Sequence, residues 1–213
     1  MNLVTGGTGL LGSHIVEKLV EAGRPVRVAV RATSRTEFLD SLGVEKVICD
    51  LTNPQSCRDA CRDVEAVYHA AARVGDWGPW HEFQRDTIDA TETLARSAQA
   101  CGVRRFVHIS SISAYGHPNG KNLVLDETAE LGYNVNRWSY YTRAKVAVEK
   151  LLWKMHREEK FPLSVIRPSW IYGLRDRTSI ARLHRMLSTG RIKILGSGHN
   201  RLNTIYACLL YTS

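Results

Sequence analysis

Tyr141 and Lys145 stand four residues apart in a segment, Trp138 to Arg157, whose pattern predicts a long helix, so both side chains share one helix face. A phenol is a poor acid at neutral pH, with a reference pKa of about 10. An ammonium beside it favours phenolate and makes the hydroxyl usable for moving a proton. Upstream, a predicted strand from Arg105 ends at Ser110-Ser111. That puts hydroxyls at the C-terminal edge of a sheet, where open α/β folds bind ligands. Gly6, Gly9 and Gly12 are spaced three apart where the apolar strand Leu3-Val4-Thr5 meets a helical pattern over Ser13 to Ala22. In such a turn the first glycine lets the chain leave the strand tightly. The second lets the backbone approach a pyrophosphate, and the third lets the helix pack closely. The helix N-terminus offers N–H groups and partial positive charge to the phosphates. No Lys-Ser/Thr follows the glycines, so a Walker P-loop is excluded.

The second predicted strand, Val26 to Val30, is followed by Arg31, with Ser34 and Arg35 close behind. A site for NAD usually places an acidic residue there for the ribose hydroxyls. An arginine attracts a ribose phosphate instead and can grip it in a bidentate way. The expected cofactor is therefore NADP, with NAD as the alternative.

These residues need a scaffold, and the rest of the chain supplies its pattern. Strands are predicted at Lys46–Cys49, Ala66–His69 and Leu163–Ile166, and a long helix at Arg85–Cys101. Strand and helix alternate, which implies an α/β fold: a doubly wound parallel sheet of Rossmann type. The expected division is a dinucleotide-binding domain over residues 1–173 and the beginning of a smaller C-terminal substrate lobe over 174–207. Residues 208–213, Cys-Leu-Leu-Tyr-Thr-Ser, back-translate to the end of a transposon-based sequencing adapter, so they are expected to be read-through.

Composition narrows the classes. Of 213 residues, 44% are hydrophobic and 23% charged, enough for a sizeable core. No apolar run is long enough to span a membrane, and the first strand starts too early for a signal peptide, so a cytoplasmic location is expected. The net charge of +8 is scattered, without a basic stripe interleaved with aromatics, which argues against a nucleic-acid partner. The cysteines form no C-x-x-C pair, and Cys57 and Cys61 have no histidine at zinc spacing, so no metal site is expected.

The run Thr5-Gly6-Gly7-Thr8-Gly9-Leu10-Leu11-Gly12 resembles the signature of extended short-chain dehydrogenases/reductases, the NAD-dependent epimerase/dehydratase family. Val26 to Arg31 resembles its dihydroflavonol-reductase-like branch. The resemblance implies that Thr8, Leu10 and Leu11 line the cofactor turn with the glycines. It implies that Asp50-Leu51 contacts the adenine, although Asp50 read alone is a capping residue. Ala70, Ala71 and Ala72 would lie along the cofactor after His69, and Pro168, in Arg167-Pro-Ser-Trp-Ile-Tyr-Gly173, beside the nicotinamide. Tyr141 and Lys145 match the family's Y-x-x-x-K, in which the lysine also holds the nicotinamide ribose. The family's catalytic serine aligns with Ser111, with Ser110 and Ser113 as alternatives. Tyr140 is a rival to Tyr141 but lacks a lysine four residues on. The chain departs from the family's N-V-x-G-T at Thr87-Ile-Asp-Ala-Thr91, where Thr87 replaces the asparagine and Ala90 the glycine.

The expected function is NADP-dependent hydride transfer to or from a bulky hydroxy or keto compound, resembling the 3β-hydroxysteroid dehydrogenase and dihydroflavonol-reductase branches. The apolar loop Val74 to Trp80, with Trp77 and Trp80, can stack on a flat substrate or pack on its own domain. A nucleotide-sugar epimerase using NAD is the alternative within enzymes, and a non-catalytic NADP-binding sensor the alternative outside them. A homodimer pairing the two long helices is also expected.

Overall fold

The computed structural model describes residues 1–75, 77–120, 123–176, 179–190, 197–199 and 201–208. Six parallel strands form the central sheet: β1 (Asn2–Thr5), β2 (Val26–Val30), β3 (Glu45–Ile48), β4 (Ala66–His69), β5 (Arg105–Ile109) and β6 (Leu163–Ile166), in the order β3-β2-β1-β4-β5-β6. β1 is central and buried along its whole length, as its unbroken Asn-Leu-Val-Thr run requires. Thr5 pairs with Ala29 on one side and His69 on the other, so the ends of β1, β2 and β4 are level. The strand order reverses at β1 and β4, which opens a crevice above their C-terminal ends.

Helices cover both faces. On one side α1 (Leu10–Glu21) and α2 (Glu37–Ser41) bury Ile15, Val16, Leu19 and Leu39 against Val4, Val28 and Ile109. On the other, α3 (Pro54–Ala60), α5 (Ala90–Ala100) and α6 (Tyr140–Glu159) pack Cys57, Leu94, Val148 and Leu152 on Leu3, Val67 and Phe106. Each such fully buried aliphatic or aromatic side chain contributes roughly 1.5–3 kcal/mol. The buried cysteines act as small apolar residues here, and no group of three or more His, Cys, Asp or Glu among the described residues could hold a metal ion.

Three features differ from the sequence pattern. Where a helix is expected over 85–101, a π turn over Gln84–Asp89 leads into α5, and a short α4 (Trp80–Phe83) precedes it. The physical reason lies in two threonines: Thr91 Oγ1 donates to Thr87 O at 2.6 Å, and Thr87 Oγ1 accepts Arg73 N at 3.0 Å. Such bonds compete with the regular helical ladder, while the apolar spacing hardly changes. Second, the short helices α2 and α3 fall below the length at which periodicity shows. α3 is set by Pro54 at its first turn and by Asn53, whose side chain accepts Gln55 N and Ser56 N. Third, β7 (Trp170–Tyr172) pairs in parallel with β8 (Thr204–Tyr206) in a separate two-stranded sheet, with α7 (Ser179–Ser188) between them in sequence. Of the expected tail, residues 209–213 lie outside the described residues. Among the described residues no helix is long and apolar enough to cross a membrane.

Candidate active site

The glycine turn sits at the end of β1. Gly6 has φ +70°, and a Cβ there would come within 2.7–2.9 Å of the Ala70–Ala71 backbone. A Cβ on Gly12 would lie 2.1 Å from Gly6 O, so α1 packs on the turn only because that position has no side chain. Gly9 N donates to Gly6 O at 2.9 Å, and Gly9 O accepts Ser13 N at 3.0 Å to start α1. A Cβ on Gly9 would meet only Gly6 O, at 3.2 Å, closer than ordinary contact, with nothing else within 4 Å. Thr8, Leu10 and Leu11 around it are half-buried. A bare backbone at a helix start over the crevice fits the diphosphate of a dinucleotide.

Ala70, Ala71 and Ala72, all half-buried, run beside this turn. Their course is set by Thr5, whose Oγ1 accepts Ala71 N at 3.3 Å and bonds His69 Nδ1 at 2.7 Å. His69 Nε2 reaches Thr91 Oγ1 at 2.8 Å. Burial holds the His69 imidazole neutral, its pKa pushed down to about 3 with a further push from the Lys145 charge. His69 therefore ties β1, β4 and α5 together, a role the sequence reading missed because a lone histidine in a strand carries no signature.

Arg31 and Arg35 lie exposed just past β2, in a turn closed by Arg31 N to Ser34 Oγ at 3.0 Å. Arg31 adds its field to those of Arg85 and Arg73 at Asp86 in the π turn. Asp50 accepts Thr52 N at 2.9 Å and Thr52 Oγ1 at 2.7 Å, contacts that hold its carboxyl below the usual carboxylate range. That side chain shapes a turn, in keeping with its reading as a local cap. Leu51 beside it is half-buried and packs on the core.

Tyr141 and Lys145 sit on one face of α6. The Lys145 ammonium lies 5.8 Å from the Tyr141 ring centroid and donates to Ile109 O at 2.8 Å. Burial pushes its pKa down to about 8, opposed by the charge of Glu149. Tyr141 is half-buried, whereas Tyr140 packs against Trp80 and Phe83 at centroid distances of 5.7 and 5.9 Å. The three serines take different parts. Ser110 is buried and donates to Glu149. Ser111 is half-buried, and its Oγ accepts Ser113 N at 3.1 Å, which leaves its own proton for another acceptor. Ser113 Oγ is buried and has no hydrogen-bond partner. Pro168 is buried, and its carbonyl accepts Ile112 N at 3.0 Å.

The two tryptophans of the 74–80 loop separate. Trp80 is packed on Tyr140, with the Arg143 guanidinium 4.3 Å from its centroid, while Trp77 is 90% exposed. Further exposed apolar side chains, Val74, Tyr133, Trp138 and Trp170, also lie on connections that leave the C-terminal ends of β4, β5 and β6. Glu149 and Arg167 went unread as site residues. Their signals were an acidic residue one further turn along the Tyr141–Lys145 face and a charge just before a strand-ending proline.

The profile described as "NAD dependent epimerase/dehydratase family" matches residues 2–208. The chain is 30% identical over 207 residues to a 2-alkyl-3-oxoalkanoate reductase of Stenotrophomonas maltophilia, covering 96% of this chain and 61% of that protein. It is 30% identical over 213 residues to a 3-beta-hydroxysteroid dehydrogenase of Mycolicibacterium neoaurum, covering 96% of this chain and 57% of that protein. Among solved structures it is similar to a UDP-glucose 4-epimerase of Thermotoga maritima in complex with UDP-glucose, with a TM-score of 0.82 and 26% identity over 97% of this chain and 70% of the other. It is also similar to MoeE5 in complex with UDP-glucose and NAD, with a TM-score of 0.78 and 29% identity over 97% and 67%. The chain thus spans about three fifths of the length of these curated relatives. With the profile matched over nearly its whole length, on a sheet of the same architecture, the chain belongs to the NAD dependent epimerase/dehydratase family.

Proposed function

We propose that the chain is the cofactor-binding part of an NADP-dependent oxidoreductase that moves hydride between nicotinamide and a bulky hydroxy or keto compound. The observation that carries this reading is the pair Tyr141 and Lys145 on one face of α6, the ammonium 5.8 Å from the phenol ring and bonded to Ile109 O, two residues before Ser111. NADPH, when bound, supplies the hydride for a carbonyl carbon. Gly6, Gly9 and Gly12 admit its diphosphate to the helix start, with Thr8, Leu10 and Leu11 around it. Ala70, Ala71, Ala72 and Pro168 line its path, and Arg31 and Arg35 pair with the ribose phosphate. Asp50 and Leu51 border the adenine. The Tyr141 hydroxyl donates a proton to the substrate oxygen, and Ser111 donates a hydrogen bond to it. Lys145 favours the resulting phenolate and holds the nicotinamide ribose.

The substrate class rests on Val74, Trp77, Tyr133 and Trp138, a set of apolar surfaces suited to a flat, water-poor molecule rather than a sugar nucleotide. The reductase and hydroxysteroid dehydrogenase among the relatives agree with it. Tyr141→Phe tests the reading. Turnover of NADPH with a hydrophobic ketone should fall by about 10²–10⁴-fold, the usual weight of a positioned acid, with NADPH affinity kept. Unchanged turnover in the variant would overturn the role of Tyr141, and a native chain that binds NADPH but turns it over with no ketone would favour a sensor.

A further inference from the structure

Glu149 lies fully buried on the α6 face that carries Tyr141 and Lys145, one turn beyond the lysine. A carboxylate without access to water persists only where charge and hydrogen bonds compensate it. Arg167 does so: its Nε donates to both carboxylate oxygens at 3.1 and 3.0 Å, and its Nη2 to Oε2 at 2.7 Å. Ser110 Oγ donates to Oε1. The Arg167 Nη1 continues to the Tyr115 hydroxyl at 2.9 Å.

All these partners border the segment that carries Ser111. Successive residues of the β5 end are clasped by successive turns of α6: Ile109 O by Lys145, then the Ser110 hydroxyl by Glu149. From the opposite side Ser110 N donates to Ile166 O at 2.8 Å and Ile112 N to Pro168 O at 3.0 Å, the two carbonyls flanking Arg167. A buried ion pair gives little net stability over apolar residues of the same shape, so what this one adds is geometry and charge. The charged and titratable groups around Lys145 are Tyr141 and Glu149 on its own helix, His69 and His108 from β4 and β5, and Arg167 beyond β6. Burial keeps both imidazoles neutral.

We propose that Glu149, held by Arg167, is a positioning residue that sets the strand end presenting Ser111 against Lys145 and supplies the negative charge the lysine ammonium faces. The proposal rests on the reading of Ser111, Tyr141 and Lys145 as the proton-handling site, but its test does not require turnover. In the whole chain with lysines labelled with ¹³C at Cε, the Lys145 signal is identified by its loss in Lys145→Met and followed against pH. In Glu149→Gln it should titrate lower than in the native chain by about one pH unit, and in Glu149→Asp close to the native position. In Arg167→Gln the carboxylate loses the cation that compensates its burial and takes up a proton, so Lys145 should again titrate lower, and in Arg167→Lys, which keeps a cation there, close to the native position. A merely structural role would not tie the Lys145 titration to the charge at both positions. If Glu149→Gln does not fold, Arg167→Gln against Arg167→Lys decides. Titration unchanged in the folded glutamine variants, or lowered as far in Glu149→Asp and Arg167→Lys, overturns the proposal. A chain that gives the expected shifts yet takes up no nicotinamide coenzyme would sink the proposed function and leave Glu149 its positioning role.

Discussion

The Lys145 ammonium is held in a buried place where its proton binds less tightly than in water. Its folded pKa of about 8 lies below the ordinary 10.5 of a lysine, so the unfolded chain binds more protons between those two values. Stability from this group is therefore full above about 10.5 and is lost as pH falls to about 8, a difference of roughly 3 kcal/mol by linkage. Lys145→Met should raise stability at pH 7 by about 1–3 kcal/mol in urea unfolding while abolishing turnover. A destabilised variant would mean that the bond to Ile109 O outweighs the buried charge. At the other end of the site, Arg31 and Arg35 are exposed and unencumbered by burial. If they hold a ribose phosphate, replacing both with alanine should weaken NADPH about 10–100-fold and leave NADH unchanged, read by coenzyme fluorescence titration. Equal losses for both coenzymes would show that they serve the turn and not the phosphate.

At the scale of single elements, the glycine turn and the π turn make opposite demands. Gly12 packs α1 on the turn with no room for a Cβ. Gly12→Ala should cost about 1–3 kcal/mol in chemical unfolding and remove coenzyme uptake together, because the helix start itself must move. Retained affinity would mean that α1 relaxes without disturbing the crevice. The π turn depends on hydroxyls instead. Thr87→Val keeps the shape but leaves Arg73 N without its acceptor, so a loss of about 1–3 kcal/mol is expected in the same measurement. The pattern over 85–101 predicted helix and so read the element type, but not its interruption. The spacing of apolar residues reports which face is buried. It does not report which carbonyl a threonine hydroxyl reaches, and Thr91 reaches Thr87 O.

For the molecule as a whole, acid is the weak side. His69 and His108 sit side by side on β4 and β5, with ring centroids 5.5 Å apart, and burial holds both neutral. The unfolded chain protonates them below about 6.5 while the folded chain does not until about 3 for His69, so stability is present above the first value and lost toward the second. His69→Gln should flatten the fall in melting temperature between pH 6.5 and pH 4, and an unaltered slope would place the acid sensitivity elsewhere. Arg96 and Gln99 of α5 donate to Glu159 of α6, which joins the two helices expected from the sequence to pair copies of the chain. Light scattering of the chain should give about twice 23.9 kDa if those helices pair two copies.

Residue type and spacing alone determined the sheet class, the strand-turn-helix at Gly6 to Gly12 and the shared face of Tyr141 and Lys145, because each follows from local periodicity and backbone freedom. The resemblance put Ser111 first, with Ser110 and Ser113 as alternatives, and gave Glu149 no part. Only the tertiary structure shows where each hydroxyl goes, since which one is spent inside depends on a carboxylate 39 residues away along the chain and an arginine 18 residues beyond that. It likewise put Trp80 in the packing and left Trp77 at the surface. Spacing records what a residue can do. Burial and the identity of its neighbours, brought together by the crossovers of the sheet, decide what is left for it to do.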